Sequence, residues 1–292
     1  MTGIAAAPGE IAVSHGVAAP PASWRLLIRK PTFIIGLTVI VFWVVCALFG
    51  HVLTPYDPLA QQLLLKNSPP SAAHPFGTDP LGRDVLSRVL AGARDILAIA
   101  PLATALGTLL GTALGLLMGY LGGALDIVAG RIVEAVLALP VVIVAFLFIV
   151  AVGHSALTMI LVIGFVFTPL IARTVRSATG VECQQDYLAS ARLLGERPGY
   201  IMAAEILPNV APVVVVEFTV RLGYAIFAVA TLSFLGFGVQ QPTPDWGGDI
   251  AANYGLLGAG YWWDTLFPAL AIASLVMALN LVTDAIEQVV SS

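Results

Sequence analysis

The chain has 292 residues, of which 59% are hydrophobic and only 10% charged, with a formal net charge of −4. A mean hydropathy of +0.95 excludes an ordinary water-soluble domain and points to a membrane protein. The 13 Lys and Arg are scattered and form no basic patch, which argues against a nucleic-acid partner.

Residues 1–23 are rich in Ala, Pro and Gly and are predicted to be a disordered cytoplasmic tail. Arg25, Arg29 and Lys30 then precede the apolar run Phe33–Leu53, so that 24–53 reads as a first span with a basic approach. This run starts too late and is too long for a signal core, and no Ala-x-Ala site follows it, so it reads as an uncleaved anchor. The loop 54–97 is too long for a simple connector. Asp79-Pro80 is a good helix start, with Leu81, Val85 and Val89 at helical spacing and Asp84 and Arg88 four apart, able to pair. An amphipathic helix lying on the membrane surface is expected here. It would either shape a docking face or brace the bundle.

Further apolar runs at 98–121, 132–152, 156–172, 211–235 and 265–286 bring the count to six spans in an all-α membrane protein, with 98–286 as a five-helix core. Gly107, Gly111 and Gly115 form small-xxx-small steps, read as helix packing before a gating hinge. Trp246, Trp262 and Trp263 read as interfacial anchors. Six spans put both termini on one side, with the loops 122–131 and 173–210. That side holds Arg25, Arg29, Lys30, Arg131, Arg173, Arg176, Arg192 and Arg197 against Lys66, Arg83, Arg88 and Arg94 on the other, which orients it toward the cytoplasm.

The loop 173–210 carries a charged island, Tyr187-Leu188-Ala189-Ser190-Ala191-Arg192-Leu193-Leu194-Gly195, closed by Ile206-Leu207-Pro208-Asn209. Tyr187, Ala191 and Leu194 share a helical face, Gly195 ends that helix, Pro198 opens a second and Pro208 is expected to stop it. A helix-turn-helix between spans offers a knob for another protein, or is an ordinary polar hairpin.

The residues exclude several chemistries. A phosphate-binding loop needs Gly-Lys-Ser/Thr, yet the only lysines, Lys30 and Lys66, do not follow glycine, so the chain cannot be an ATPase. Cys46 and Cys183 suggest neither a disulfide nor a metal site, and His15, His51, His74 and His154 read as isolated loop or span-end residues. Glu217 and Arg221 are intramembrane charges with the spacing of a pair on one helix face. They line a translocation path or neutralise each other against a neighbour.

Taken in order, Pro55-Tyr56-Asp57-Pro58, His74-Pro75-Phe76-Gly77-Thr78-Asp79, Leu81-Gly82-Arg83-Asp84, Leu86-Ser87-Arg88 and Gly92-Ala93-Arg94 form a signature. It continues through Gly119-Tyr120-Leu121-Gly122-Gly123, Asp126, Arg131, Glu134, Pro140, Ala172-Arg173, Arg176 and the island at 187–209. It ends with Ser233-Phe234-Leu235-Gly236-Phe237-Gly238, Pro242-Thr243-Pro244, Trp246-Gly247, Trp262-Trp263, Pro268, Asn280 and Asp284. The whole resembles the second permease subunit of dipeptide/oligopeptide-type ATP-binding-cassette importers. The resemblance implies a type I importer permease fold in the bacterial cytoplasmic (inner) membrane, with the helix at Tyr187–Gly195 as the coupling element to an ATPase.

The same likeness implies a second homologous permease, two cytoplasmic ATPase subunits that bind ATP and Mg, and an extracytoplasmic solute-binding protein, with no cofactor in this chain. It marks Asp79, Arg83, Asp84 and Arg88 as an extracytoplasmic loop motif. Three departures stand out: Ala189-Ser190-Ala191 replaces the usual Glu-Ala-Ala, Val229 stands where relatives carry an acid, and no basic stretch follows Asp284. The implied cargo is di- or oligopeptide, or else a nickel chelate or other small solute. An ion-coupled carrier using Glu217 is the reading from another class.

Overall fold

The structure, a computed structural model, describes residues 30–290; the expected tail and the basic residues Arg25 and Arg29 lie outside the described residues. Helices dominate, and among the described residues the only β-type pairing is an isolated bridge between Thr78 and Asp84. They are α1 (Pro31–Leu53), α2 (Val85–Leu121), α3 (Gly123–Leu137), α4 (Val141–Val152), α5 (Ala156–Glu182) and α6 (Asp186–Leu193), then α7 (Pro198–Phe234), α8 (Trp246–Asn253) and α9 (Trp263–Val290). Short 3-10 turns occupy Leu63–Leu65 and Tyr254–Ala259. The helices α1, α2, α5, α7 and α9 are long and apolar enough to cross a membrane, and α4 adds a shorter apolar one.

The core is the seam of α2 and α5. Along α2, Gly107, Gly111, Gly115 and Gly119 recur every four residues and present one smooth strip. A Cβ at Gly107 would stand 2.9 Å from the Gly164 carbonyl, and one at Gly119 2.6 Å from Thr179 Cβ. Ile171 and Val175 of α5 press onto the two glycines between them. In a bilayer this close approach is what holds helices together, because lipid is as apolar as leucine. α1 leans on α2 and α9, tied by Trp43 Nε1, which donates to Ser274 Oγ at 3.0 Å.

Four expectations are corrected. The run 132–152 is not one helix: α3 already begins at Gly123, and Pro140 parts it from α4, because proline lacks the N–H that a continuous helix would need there. At 12 residues α4 alone is about 18 Å long, short of the roughly 30 Å hydrocarbon core. The sixth crossing is made by α3 and α4 together, since α2 and α5 run in the same direction, Gly107 against Gly164 and Gly119 against Thr179. No surface helix starts at Asp79-Pro80; α2 starts at Val85, capped by Asp84, and runs unbroken into the span. Pro208 does not stop α7. A π turn at Ile201–Ile206 widens the helix ahead of it, with Leu207 N–H donating to the Met202 carbonyl, which makes room for the ring. Trp246 and Trp263 are buried rather than interfacial, their Nε1 groups donating to Val89 O at 2.7 Å and Thr78 O at 3.1 Å. Of the three tryptophans only Trp262 is exposed.

Candidate functional site

Two ends of the bundle carry the polar residues. At the first, α6 is a two-turn helix between α5 and α7. It ends at Leu193 with Leu194 as its cap, and Gly195 takes φ 75°, with its N–H on the Arg192 carbonyl and Glu196 N–H on the Ala191 carbonyl. That pair of bonds is a Schellman cap, and the left-handed residue it requires is the reason glycine stands there. Pro198 then occupies the first position of α7.

The anchor of α6 is Tyr187. Its hydroxyl donates to Glu182 Oε1 at 2.5 Å and accepts from Asn209 Nδ2 at 2.8 Å, while Asn209 also donates to the Glu205 carbonyl at 2.8 Å. One phenol thus joins the end of α5, the start of α6 and the first turns of α7. Burial, then the Glu182 contact, pushes its pKa up to about 12, so it stays a donor at any physiological pH. Leu188 is fully buried beside it, and Arg192 lies 5.2 Å from the Tyr120 ring at the end of α2. The shared face differs from the expected one. Tyr187, Leu188 and Ala191 face the bundle, whereas Leu194 is turned out at 81% exposure beside Leu193 at 90%. Leu194 has left the helical repeat because it is the cap residue. Ala189, Ser190, Arg192, Gly195, Glu196 and Arg197 are exposed around this tip.

At the opposite end, between α1 and α2 and between α7 and α9, the loops fold into a buried ionic knot. Asp79 Oδ1 accepts the N–H groups of Leu81 and Arg83 at 2.8 and 2.9 Å, and its Oδ2 pairs with Arg83 Nε at 2.5 Å. Arg83 reaches on to Gln241 Oε1 at 3.1 Å. The expected Asp84–Arg88 pair does not form. As the cap of α2, Asp84 is committed to Ser87 N–H and hydroxyl at 2.8 and 2.7 Å and to His74 Nδ1 at 2.8 Å. His74 is therefore a buried partner and not an isolated loop residue. Arg88 pairs instead with Asp249 of α8, and donates to the Pro58 and Pro242 carbonyls at 3.3 Å each. Burial pushes the Asp249 carboxyl above its usual range although Arg88 opposes this, and burial raises Asp245 to about 6. Asp245, Asp249 and the buried Asp264 were not singled out by sequence. The only signal for them was that Arg88 sits at helical spacing among Val85 and Val89, on a face that had to be buried.

Within the span α7, Arg221 Nε and Glu217 Oε2 stand 2.9 Å apart, and Thr174 of α5 donates to Glu217 Oε1 at 2.8 Å. The guanidinium lies 5.6 Å from the exposed Tyr224 ring. On α5, Arg176 pairs with Asp126 of α3 through two nitrogens, and Arg173 is exposed with no ion-pair partner among the described residues. No group of three or more His, Cys, Asp or Glu with metal-holding geometry occurs among the described residues. Both cysteines are free, and burial pushes the half-buried Cys183 thiol up.

Residues 111–292 match the family described as binding-protein-dependent transport system inner membrane component, and residues 22–70 match the N-terminal TM domain of oligopeptide transport permease C. The chain is similar to the dipeptide transport system permease protein of Bacillus subtilis (strain 168), at 34% identity over 91% of this chain and 83% of the relative. It is also similar to the glutathione transport system permease protein of Escherichia coli O1:K1 / APEC, at 36% over 90% and 87%. The probable D,D-dipeptide transport system permease protein of Escherichia coli (strain K12) matches at 33% over 90% and 88%.

Proposed function

We propose that this chain, which belongs to the family of binding-protein-dependent transport system inner membrane components, forms one half of the pathway by which an ATP-driven importer moves di- or oligopeptides. It is a multi-pass membrane subunit and not an enzyme. The partners of this reading are a second homologous permease, two cytoplasmic ATPase subunits that hold ATP and Mg, and an extracytoplasmic solute-binding protein. The family and the peptide cargo named for its relatives support it.

The observation that carries the coupling role is the contrast within α6. Tyr187 and Leu188 pin its inner face to α5 and α7, while Leu193 and Leu194 stand bare at its tip. A rigid apolar knob of this kind is built to sit in a groove of another protein and to pass its movement to two spans at once. Leu188 acts as the pin, Ala189, Ser190 and Arg192 flank the contact, and Gly195 sets the turn. When ATP closes the ATPase pair, the knobs move and the spans switch between inward and outward openings. Ala189 in place of the acid common in relatives removes one charge from that contact, which leaves the two leucines as its main apolar content. Glu217 and Arg221 lie on the path side of α7 in this reading, and Asp79, Arg83, Asp84 and Arg88 set the shape of the extracytoplasmic face.

Gly195→Ile tests the coupling. Its Cβ would meet nothing within 4 Å, so the strain is confined to the backbone, about 1–2 kcal/mol for a left-handed conformation. The turn is expected to re-form and carry Leu193 and Leu194 off position, so that uptake falls by about tenfold while membrane insertion persists. Gly195→Asn, which tolerates the left-handed region, is expected to keep most of the rate. Normal uptake with Gly195→Ile would remove α6 from the coupling role.

Orientation follows from the same reading, with both termini and α6 in the cytoplasm. In a Cys183→Ser background, Leu64→Cys is expected to react with an impermeant thiol reagent in intact cells, because Leu64 is fully exposed. Leu193→Cys is expected to react only after permeabilisation. The reverse pattern would overturn the orientation and the docking argument with it.

A further inference from the structure

The ionic knot leaves a separate feature at the same end of the bundle. A cavity of about 770 Å³ lies where α1 ends and α2 begins. Its floor is small and apolar, with Cys46, Ala47 and Gly50 of α1 against Ala91 of α2, and its rim carries Arg94 and His51. The two helices meet at Gly50, where a Cβ would stand in ordinary contact, 3.6 Å from Ala91 Cα. Neither Arg94 nor His51 makes a side-chain hydrogen bond or ion pair among the described residues, and both are exposed. The one carboxylate of the lining, Asp57, has an oxygen committed to the Leu59 N–H at 2.9 Å. The next residue along α2, Asp95, interacts electrostatically with Arg94 and also lies near Asp245, but accepts no hydrogen bond from the guanidinium.

We propose that this cavity binds the headgroup of an anionic phospholipid, with the phosphate on Arg94 and the acyl chains along α1. Three observations converge. The site lies at the mouth of a span, the level at which headgroups sit in a bilayer. Arg94 has free hydrogen-bond donors, and an exposed arginine at that level attracts an anionic headgroup. Inward from the mouth, Leu48, Val44, Val41 and Leu37 are exposed at helical spacing and form one apolar stripe leading away from the cavity into the span, with Leu48 part of its wall. A soluble anion would use the arginine and leave that stripe bare, whereas a phospholipid covers both.

The test is native mass spectrometry of the full chain, purified in detergent and equilibrated with equal amounts of phosphatidylglycerol and phosphatidylcholine. The wild type is expected to retain phosphatidylglycerol about fivefold over phosphatidylcholine, the discrimination of a single cation near a membrane surface. Arg94→Gln is expected to bring that ratio near one, and Arg94→Lys to keep most of it. Ala47→Phe, which fills the floor but leaves the arginine, is expected to lose retained lipid of both kinds. Equal retention by the wild type, an unchanged ratio in Arg94→Gln, or undiminished lipid in Ala47→Phe would each overturn the proposal. So would displacement of the lipid by glycerol 3-phosphate, which would make this a site for a free anion. Monodisperse elution of each variant checks that the chain remains folded.

Discussion

Arg88→Met is expected to destabilise the folded chain by about 3–5 kcal/mol, the range for breaking a buried pair by removing one partner. Arg88 and Asp249 are both buried, and with Trp246 Nε1 on the Val89 carbonyl they fasten the start of α2 to α8. Removing the guanidinium leaves the Asp249 carboxylate buried without its ion-pair partner, where burial already raises its pKa. It also frees the Pro58 and Pro242 carbonyls, so three segments of the loop end lose their common donor. Asp249→Leu is expected to cost a similar amount, because it strands the arginine. The double change Arg88→Met, Asp249→Leu is expected to recover much of the loss, since a matched apolar pair avoids the desolvation of both ions. The measurement is the midpoint of thermal unfolding in detergent for the three variants. Single changes of less than about 1 kcal/mol, the level of an exposed pair, would mean that water reaches this contact and that the knot is not what holds α2 to α8.

The same pair marks where sequence reasoning stops. Apolar runs are legible because a bilayer demands about twenty apolar residues per crossing, and α1, α2, α5, α7 and α9 emerge from that demand alone. The cap at Gly195 is legible too, because one residue type solves one backbone problem. Local spacing, which is all that sequence offers here, pairs Asp84 with Arg88. The structure gives Asp84 to the helix cap and Arg88 to an acid 161 residues away. Two local roles competed for one carboxylate, and capping won because Ser87 N–H has no other acceptor at the first turn of α2. The tryptophans fail for a related reason. An amphipathic ring at a span end suits the interface, but it also suits a buried joint that offers its N–H a carbonyl, as Val89 and Thr78 do. Pro208 shows a third limit, since a proline breaks a helix only where the backbone cannot widen to admit it, and the π turn at Ile201–Ile206 does so.

In the span α7, Glu217→Gln and Arg221→Leu are each expected to lower assembly yield, while the double variant assembles at close to the normal level and imports poorly. Spacing alone foretold the pair, and the side chains are 14% and 18% exposed, too enclosed for a surface ion pair and too open for a core one. An unpaired charge in a span costs about 2.5–3.5 kcal/mol on insertion scales, so each single change is large enough to read. Glu217→Gln keeps an acceptor for Thr174 but strands Arg221, whose remaining neighbour is the Tyr224 ring. Arg221→Leu strands Glu217 with the single hydroxyl of Thr174, a weaker partner than a guanidinium. Removing both charges restores neutrality, so assembly recovers whatever the pair does for transport. Uptake then isolates the other role. A zwitterionic peptide passing α7 would meet one charge of each sign on the open side of the pair, and losing both is expected to cut its import by about tenfold, the worth of roughly one charge-assisted contact. Assembly and uptake are to be measured together in membranes carrying all subunits. Normal uptake by the double variant would confine Glu217 and Arg221 to holding α7 against α5 through Thr174.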